Sequence, residues 1–301
     1  MQLGMIGLGR MGANMAQRLQ RGGHAVAGFD PTPEARARVA AEGIATAESL
    51  EALVASLDAP RALWMMVPAG AVVDATVRAL QPLLSAGDVL VDGGNSFYKD
   101  SQRRADALRE AGIAYLDVGT SGGVWGLAEG YSLMVGGDAQ AAARLSPLFQ
   151  ALAPAPDRGW GHVGPSGAGH YAKMIHNGIE YGMMQAYAEG FAILERKREL
   201  APDIAQLAEI WRHGSVVRSW LLDLTAEALA ANPGLDGIAP YVPDSGEGRW
   251  TVAEAIELDV AAPVITQSLI ERLRSRDGDA FADKLLSAMR NAFGGHAVKR
   301  D

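Results

Sequence analysis

The chain has 301 residues, 49% hydrophobic and 21% charged, with 27 Lys+Arg against 35 Asp+Glu and a net charge of −8. That balance suits about two ordinary globular domains and supplies no bulk attraction to nucleic acid or to an anionic membrane. With no cysteine in the sequence, disulfides, thiolate nucleophiles and cysteine-based metal sites are excluded.

The first residues lack a basic n-region and no apolar run approaches the ~18 residues of a membrane span, so a soluble cytoplasmic protein is expected. Leu3 to Leu8 reads as a buried parallel strand. It runs into Gly7-Leu8-Gly9-Arg10-Met11-Gly12 and then a helical pattern through Met15, Ala16 and Leu19. A Gly-x-Gly-x-x-Gly between strand and helix permits a tight turn and close approach to a pyrophosphate, with the helix N-terminus facing the anion. His24 to Phe29 reads as the second strand. Asp30 at its end lies 18 residues after Gly12, close to the ~20-residue offset of an acid that grips the ribose 2′-hydroxyl of NAD. The same carboxylate repels a 2′-phosphate, and neither Pro31 nor Thr32 offers an arginine to hold one, although Arg36 and Arg38 follow on the next helix. NAD is therefore expected over NADP.

Strands continue at Ala62–Val67, ended by Pro68, and at Asp88–Asp92, which leads into Gly93-Gly94-Asn95-Ser96. Another is expected at Ala114–Val118, leading into Gly119-Thr120-Ser121-Gly122-Gly123. Helices are expected between them, over Val72–Leu84 and Lys99–Ala111. In open parallel sheets ligands lie beyond the carboxyl ends of the strands, so Val67, Pro68, Asn95 and Ser121 to Gly123 face the cofactor crevice. Tyr131–Gly137, a helix Ala139–Leu152 and Gly159–Gly164 complete the pattern. From about Ala168 onward the chain reads as helical, with breaks at Pro202, Asn232-Pro233-Gly234 and Asp244 to Gly248. The expected architecture is a Rossmann-type α/β domain, a doubly wound parallel sheet over residues 1–165, followed by an all-α domain over residues 166–301.

The helix beginning near Gly169 carries Lys173, His176, Asn177 and Glu180 at i, i+3, i+4 and i+7, which share one face. Met174, Ile175, Ile179 and Met183 flank that stripe. An amine, an imidazole, an amide and a carboxylate converging there suit acid–base chemistry on a polyhydroxylated substrate; a solvated face with a Lys–Glu pair has the same pattern.

Five stretches resemble the decarboxylating 6-phosphogluconate dehydrogenase family in its short-chain form. They are Gly7 to Asn14, Asp92 to Ser96, Ser121 to Gly123, Lys173 to Gly182, and Arg290-Asn291-Ala292-Phe293-Gly294-Gly295-His296. The wider β-hydroxyacid dehydrogenase group shares the nucleotide motif and a Lys-x-x-x-Asn helix, and a member acting on 3-hydroxyisobutyrate is the alternative. The resemblance implies oxidation of 6-phosphogluconate at carbon 3 by NAD, loss of the carboxylate as carbon dioxide, and protonation of the enediol to ribulose 5-phosphate, without a metal. It implies Lys173 as the base and Glu180 as the acid that protonates carbon 2. For that, Lys173 must start neutral, below the ~10.4 of free lysine. Asn95, Ser121, Gly122, Gly123, His176, Asn177 and Tyr181 are implied substrate contacts, with Asn95 also near the nicotinamide. Arg272 matches a further family arginine. Arg290 and His296 match a pair that reaches the substrate phosphate of a neighbouring subunit, so a homodimer or homotetramer with shared sites is implied. Ser245 stands where larger members carry a loop lysine, and their second helical repeat is missing.

Overall fold

The computed structural model describes residues 1–294 and 297–299. Its strands are β1 (Gln2–Ile6), β2 (Ala25–Phe29), β3 (Ala45–Thr46), β4 (Ala62–Met65), β5 (Val89–Asp92), β6 (Ala114–Ser121), β7 (Ser132–Gly137) and β8 (Trp160–Gly164). Among the described residues they form one sheet in the order β3-β2-β1-β4-β5-β6-β7-β8. The central strands are apolar on both faces, as a sheet covered on both sides requires.

Alternation along the strands feeds two cores. Leu3, Met5, Trp64, Val89, Val91, Leu116 and Val118 join one, with Met15 and Leu19 of the helix Arg10–Arg21 and Leu145 and Leu148 of Ala139–Leu152. Ile6, Leu63, Met65, Leu90 and Tyr115 join the other, with Val73 and Val77 of Ala71–Leu80 and Leu108 of Tyr98–Arg109. Because side chains alternate across a strand, the central strands β1, β4, β5 and β6 each serve both helical layers. This is the doubly wound Rossmann-type arrangement, with the chain reversal between β1 and β4 at its centre.

The structure differs from the sequence reading in detail. The first six strands are parallel, but β7 runs antiparallel to β6, and β8 is parallel to β7. The glycine-rich connection from Gly122 to Tyr131 holds only short helical turns at Gly123–Trp125 and Gly126–Glu129. It is too short for a crossover helix, so the chain folds back on itself. Leu8 and Val67 fall just outside β1 and β4, whereas Thr120 and Ser121 lie inside β6.

By its internal packing the chain divides between Asn177 and Gly178, within the helix Ala168–Arg196. The change of pattern at residue 165 lies upstream because the first turns of that helix are packed on the sheet. An added Cβ at Gly169 would lie 2.3 Å from the Asp117 carbonyl and 2.4 Å from that of Met134.

The second unit is helical, with Ile204–Trp211, Trp220–Ala231, Glu247–Glu257, Pro263–Arg274 and Phe281–Gly294 following the long helix. Asp203 and Ser219 cap two of these by accepting from the N–H groups of Gln206 and Leu222, satisfying donors that a helix start leaves open. Phe191, Ala208, Leu222, Ala226 and Leu229 form its core. Among the described residues no helix is long and apolar enough to cross a membrane.

Candidate active site

The glycine-rich turn is built as its spacing requires. Gly7 has φ +89°, and a Cβ there would lie 2.4 Å from the Met66 carbonyl oxygen; one at Gly12 would lie 1.9 Å from the Gly7 carbonyl oxygen. Side chains are excluded where turn, neighbouring strand and helix meet. Among the described residues a Cβ at Gly9 would meet nothing within 4 Å, and no side chain caps the helix that starts at Arg10. Open space in front of an uncapped helix N-terminus fits a dinucleotide pyrophosphate. Arg10 is exposed and Met11 half-buried beside it.

Asp30 sits at the end of β2, with Oδ2 accepting from the Leu8 N–H at 2.8 Å and Oδ1 from the Thr32 N–H at 2.8 Å. Arg38 donates to the Leu8 carbonyl at 2.6 Å and Arg36 to the Asp30 carbonyl at 2.7 Å. Both arginines thus brace the turn through its backbone. Val67 lies between the two glycine loops: its Cγ1 would be 3.1 Å from a Cβ on Gly7, and its carbonyl oxygen 3.1 Å from one on Gly94. Pro68 follows it, exposed.

Asn95 is exposed at the end of β5, and Ser121 closes β6 with Gly122 and Gly123 beyond it. Tyr131 is buried beneath that loop, its ring 3.1 Å from a Cβ added at Gly122. Burial pushes its phenol up to about 12.

The long helix is anchored by a residue the sequence reading passed over. Asp117, fully buried in β6, accepts from the Gly167 N–H at 2.7 Å and the His170 N–H at 2.9 Å. A carboxylate at this end satisfies orphan donors and complements the helix dipole. The signal for it was a charge in the middle of the apolar run Leu116-Asp117-Val118. Two turns on, Lys173 is 7% exposed and Asn177 8%, so the solvated-face alternative does not describe them. Lys173 Nζ lies 3.3 Å from His176 Nδ1, which lies 3.2 Å from Asn177 Oδ1. The lysine stem runs against Gly119 of β6, where an added Cβ would lie 2.4 Å from Lys173 Cβ. The apolar flanks are uneven: Met174 is buried, whereas Ile179 and Met183 are exposed.

Glu180, half-buried, lies further along the same helix, in the second unit. Next to it Tyr181 is buried, its ring facing Gly248 on one side, with Arg272 stacked 3.5 Å from its centroid. A guanidinium over an aromatic face is a favourable cation–π pair. Among the described residues the Tyr181 hydroxyl has no hydrogen-bond partner. Ser245 donates to the buried Glu247 carboxylate, while Arg249 and Arg276 pair with Asp244. Arg290 is exposed on the helix Phe281–Gly294; His296 lies outside the described residues. Among the described residues no group of three His, Asp or Glu is arranged to hold a metal ion.

A sheet of this order, a glycine-rich turn for a dinucleotide and a buried lysine on the helix that leaves the sheet define an NAD(P)-binding oxidoreductase. Residues 2–163 match the NAD binding domain of 6-phosphogluconate dehydrogenase, and residues 169–280 match the 6-phosphogluconate dehydrogenase C-terminal domain. The chain is 48% identical over 302 residues to the NAD(+)-dependent, decarboxylating 6-phosphogluconate dehydrogenase of Haloferax volcanii, covering 100% of this chain and 99% of that protein. Among solved structures, the 6-phosphogluconate dehydrogenase of Plasmodium falciparum, described with NADP+ and with 6-phosphogluconate, is 28% identical. Its TM-score is 0.84, over 100% of this chain and 66% of that one. The 3-hydroxyisobutyrate dehydrogenase of Mycobacterium tuberculosis is 26% identical with a TM-score of 0.74, over 92% of this chain and 94% of that one. The chain belongs to the 6-phosphogluconate dehydrogenase family.

Proposed function

We propose that the protein oxidises 6-phosphogluconate, preferring NAD, and releases carbon dioxide and ribulose 5-phosphate. The observation that carries this reading is Lys173, an amine buried beside His176 and Asn177 on the helix braced by Asp117. Burial disfavours the ammonium form, which is what a lysine acting as base requires. Nicotinamide, when bound, supplies the hydride acceptor. Lys173 takes the proton of the carbon-3 hydroxyl at Nζ and, as ammonium, donates to the new carbonyl oxygen while the carboxylate leaves. Glu180 delivers the proton to carbon 2 of the enediol. Asn95, Ser121, Gly122, Gly123, His176 and Asn177 hold the hydroxyls and carboxylate. The stacked pair Tyr181 and Arg272 supports a role for both at the phosphate, since a guanidinium suits bidentate binding of that group.

The NAD preference is supported by Asp30, whose carboxylate opposes a 2′-phosphate, and by the commitment of Arg36 and Arg38 to backbone carbonyls. The protein works as a homo-oligomer in which Arg290 and His296 of one subunit complete the phosphate site of the next. Residues 1–165 are the nucleotide domain and 166–301 the substrate and assembly domain. The Ser245–Glu247 pair, in place of a cationic loop side chain, favours one second reading, a short hydroxyacid such as 3-hydroxyisobutyrate.

Initial rates of NAD and NADP reduction with each acid separate these readings. Turnover of 6-phosphogluconate with NAD well above NADP is expected. Turnover of 3-hydroxyisobutyrate alone contradicts the substrate assignment, and equal rates with both cofactors contradict the role of Asp30.

A further inference from the structure

The turn Asp92-Gly93-Gly94-Asn95-Ser96 leaves β5 under the control of one carboxylate. Asp92 is fully buried. Its Oδ1 accepts from the Gly94 N–H at 3.1 Å, and its Oδ2 accepts from the Ser96 hydroxyl at 2.7 Å. The residues on either side of Asn95 are therefore tied to the same side chain. Oδ2 also accepts from the Tyr115 phenol at 2.8 Å and lies 3.5 Å from Arg104 Nη1.

Arg104 is as deeply buried, with 1% of its side chain exposed. It donates to Ser96 Oγ at 3.2 Å, to Asp74 at 2.8 Å and to the Gly70 carbonyl at 3.3 Å. The Trp64 indole closes the other side, since a Cβ on Gly93 would lie 2.1 Å from its Nε1. Burying charge is costly, and apolar groups of the same volume often serve stability as well. What this cluster adds is direction: the Tyr115 phenol, the Ser96 hydroxyl and Arg104 Nη1 are aimed at the turn or at the carboxylate that shapes it, and Asp74 and the Gly70 carbonyl hold the rest of the guanidinium. Asn95 alone in the turn is exposed, projecting from a backbone fixed on both sides.

We propose that Asp92, Ser96, Tyr115 and Arg104 are positioning residues that hold Asn95 for the reaction, with the Asp92–Ser96 hydrogen bond as a staple across the turn. They act through Asn95, so the inference rests on the reading of Asn95 as a contact of substrate and nicotinamide. Preorganised groups must be held by supporting hydrogen bonds to act at full strength, and small misplacements are costly.

The test is a kinetic cycle on the full-length protein with Ser96→Ala, Asn95→Ala and the double variant, with Tyr115→Phe as an independent probe of the same carboxylate. The kcat and KM values for NAD and 6-phosphogluconate are measured alongside thermal melts. Ser96→Ala is expected to lower kcat on the order of tenfold to a hundredfold, the scale of loss that a misplaced positioning group produces. Tyr115→Phe shifts kcat in the same direction, and it carries the test if Ser96→Ala does not fold. In the Asn95→Ala background Ser96→Ala has little further effect on kcat, because its influence passes through that amide. A kcat loss of equal size in both backgrounds, or folded Ser96→Ala and Tyr115→Phe proteins with unchanged kcat, overturns the positioning role while leaving Asn95 in the site. Unchanged kinetics in Asn95→Ala itself overturns the reading of Asn95, and the staple with it.

Discussion

At the scale of single residues Lys173 is the proposed centre of the chemistry. The proposed role as base requires its neutral form to accept a proton. Replacing it with methionine preserves the apolar stem and removes the acid–base group. Lys173→Met is therefore expected to lower kcat by roughly 10²–10⁴-fold while leaving NAD affinity, measured by fluorescence titration, close to wild type. Loss of NAD affinity in step with kcat would instead make Lys173 a binding group. Asp74 gives a second residue-scale expectation. Burial pushes its carboxyl up, but hydrogen bonds from Arg104 and Arg103 outweigh that and hold it below the ordinary carboxylate value. A depressed folded pKa contributes stability that is complete above the unfolded value near ~3.9 and is lost as pH falls through the folded one. Thermal melts from neutral to acid pH are expected to show a smaller loss below about pH 4 for Asp74→Asn than for wild type. Parallel curves would show that the pairing adds nothing.

At the scale of elements, the decisive contact is the long helix lying on β6 and β7. Gly119 has no room for a methyl group: a Cβ would lie 2.4 Å from Lys173 Cβ and 2.6 Å from the Gly169 carbonyl oxygen. Gly119→Ala is expected to destabilise the fold by ~1–3 kcal/mol, as overpacking does, and to depress kcat by displacing Lys173. A melt and rate matching wild type would show that the helix can shift without cost. Much of this was legible in the sequence. Apolar runs matched the central strands, and the spacing of Gly7, Gly9 and Gly12 matched the tight glycine-rich turn between β1 and its helix. The i, i+3, i+4 pattern gave the grouping of Lys173, His176 and Asn177. What escaped depends on tertiary partners. Asp117 looks like an isolated charge in a strand, because the donors it satisfies, Gly167 and His170, lie about fifty residues along the chain; Asp92 falls within a legible motif, but its bonds to Tyr115 and Arg104 depend on the fold. The reversal of β7 was hidden because an apolar run carries no direction; only the missing crossover helix after β6 betrayed it. The two-residue β3 is too short for any periodic signal.

At the scale of the whole molecule, the chain matches both the nucleotide-binding and the C-terminal models of its family but spans 66% of the Plasmodium enzyme. The proposed sharing of sites between subunits makes a test of assembly possible. If Arg290 completes a neighbouring site, inactive Lys173→Ala and Arg290→Ala subunits should recover activity when mixed and allowed to exchange, because some hybrid sites then contain both intact residues. Mixtures that stay inactive while mass measurements show hybrids would mean that each site is drawn from one chain. The central claim is that oxidation and decarboxylation occur together at the site containing Lys173. Its most direct test is the amount of carbon dioxide released per NAD reduced with 6-phosphogluconate as substrate. Equimolar release is expected, abolished together with NAD reduction in Lys173→Met. NAD reduction by the wild-type enzyme without carbon dioxide, or with another hydroxyacid in place of 6-phosphogluconate, would contradict it.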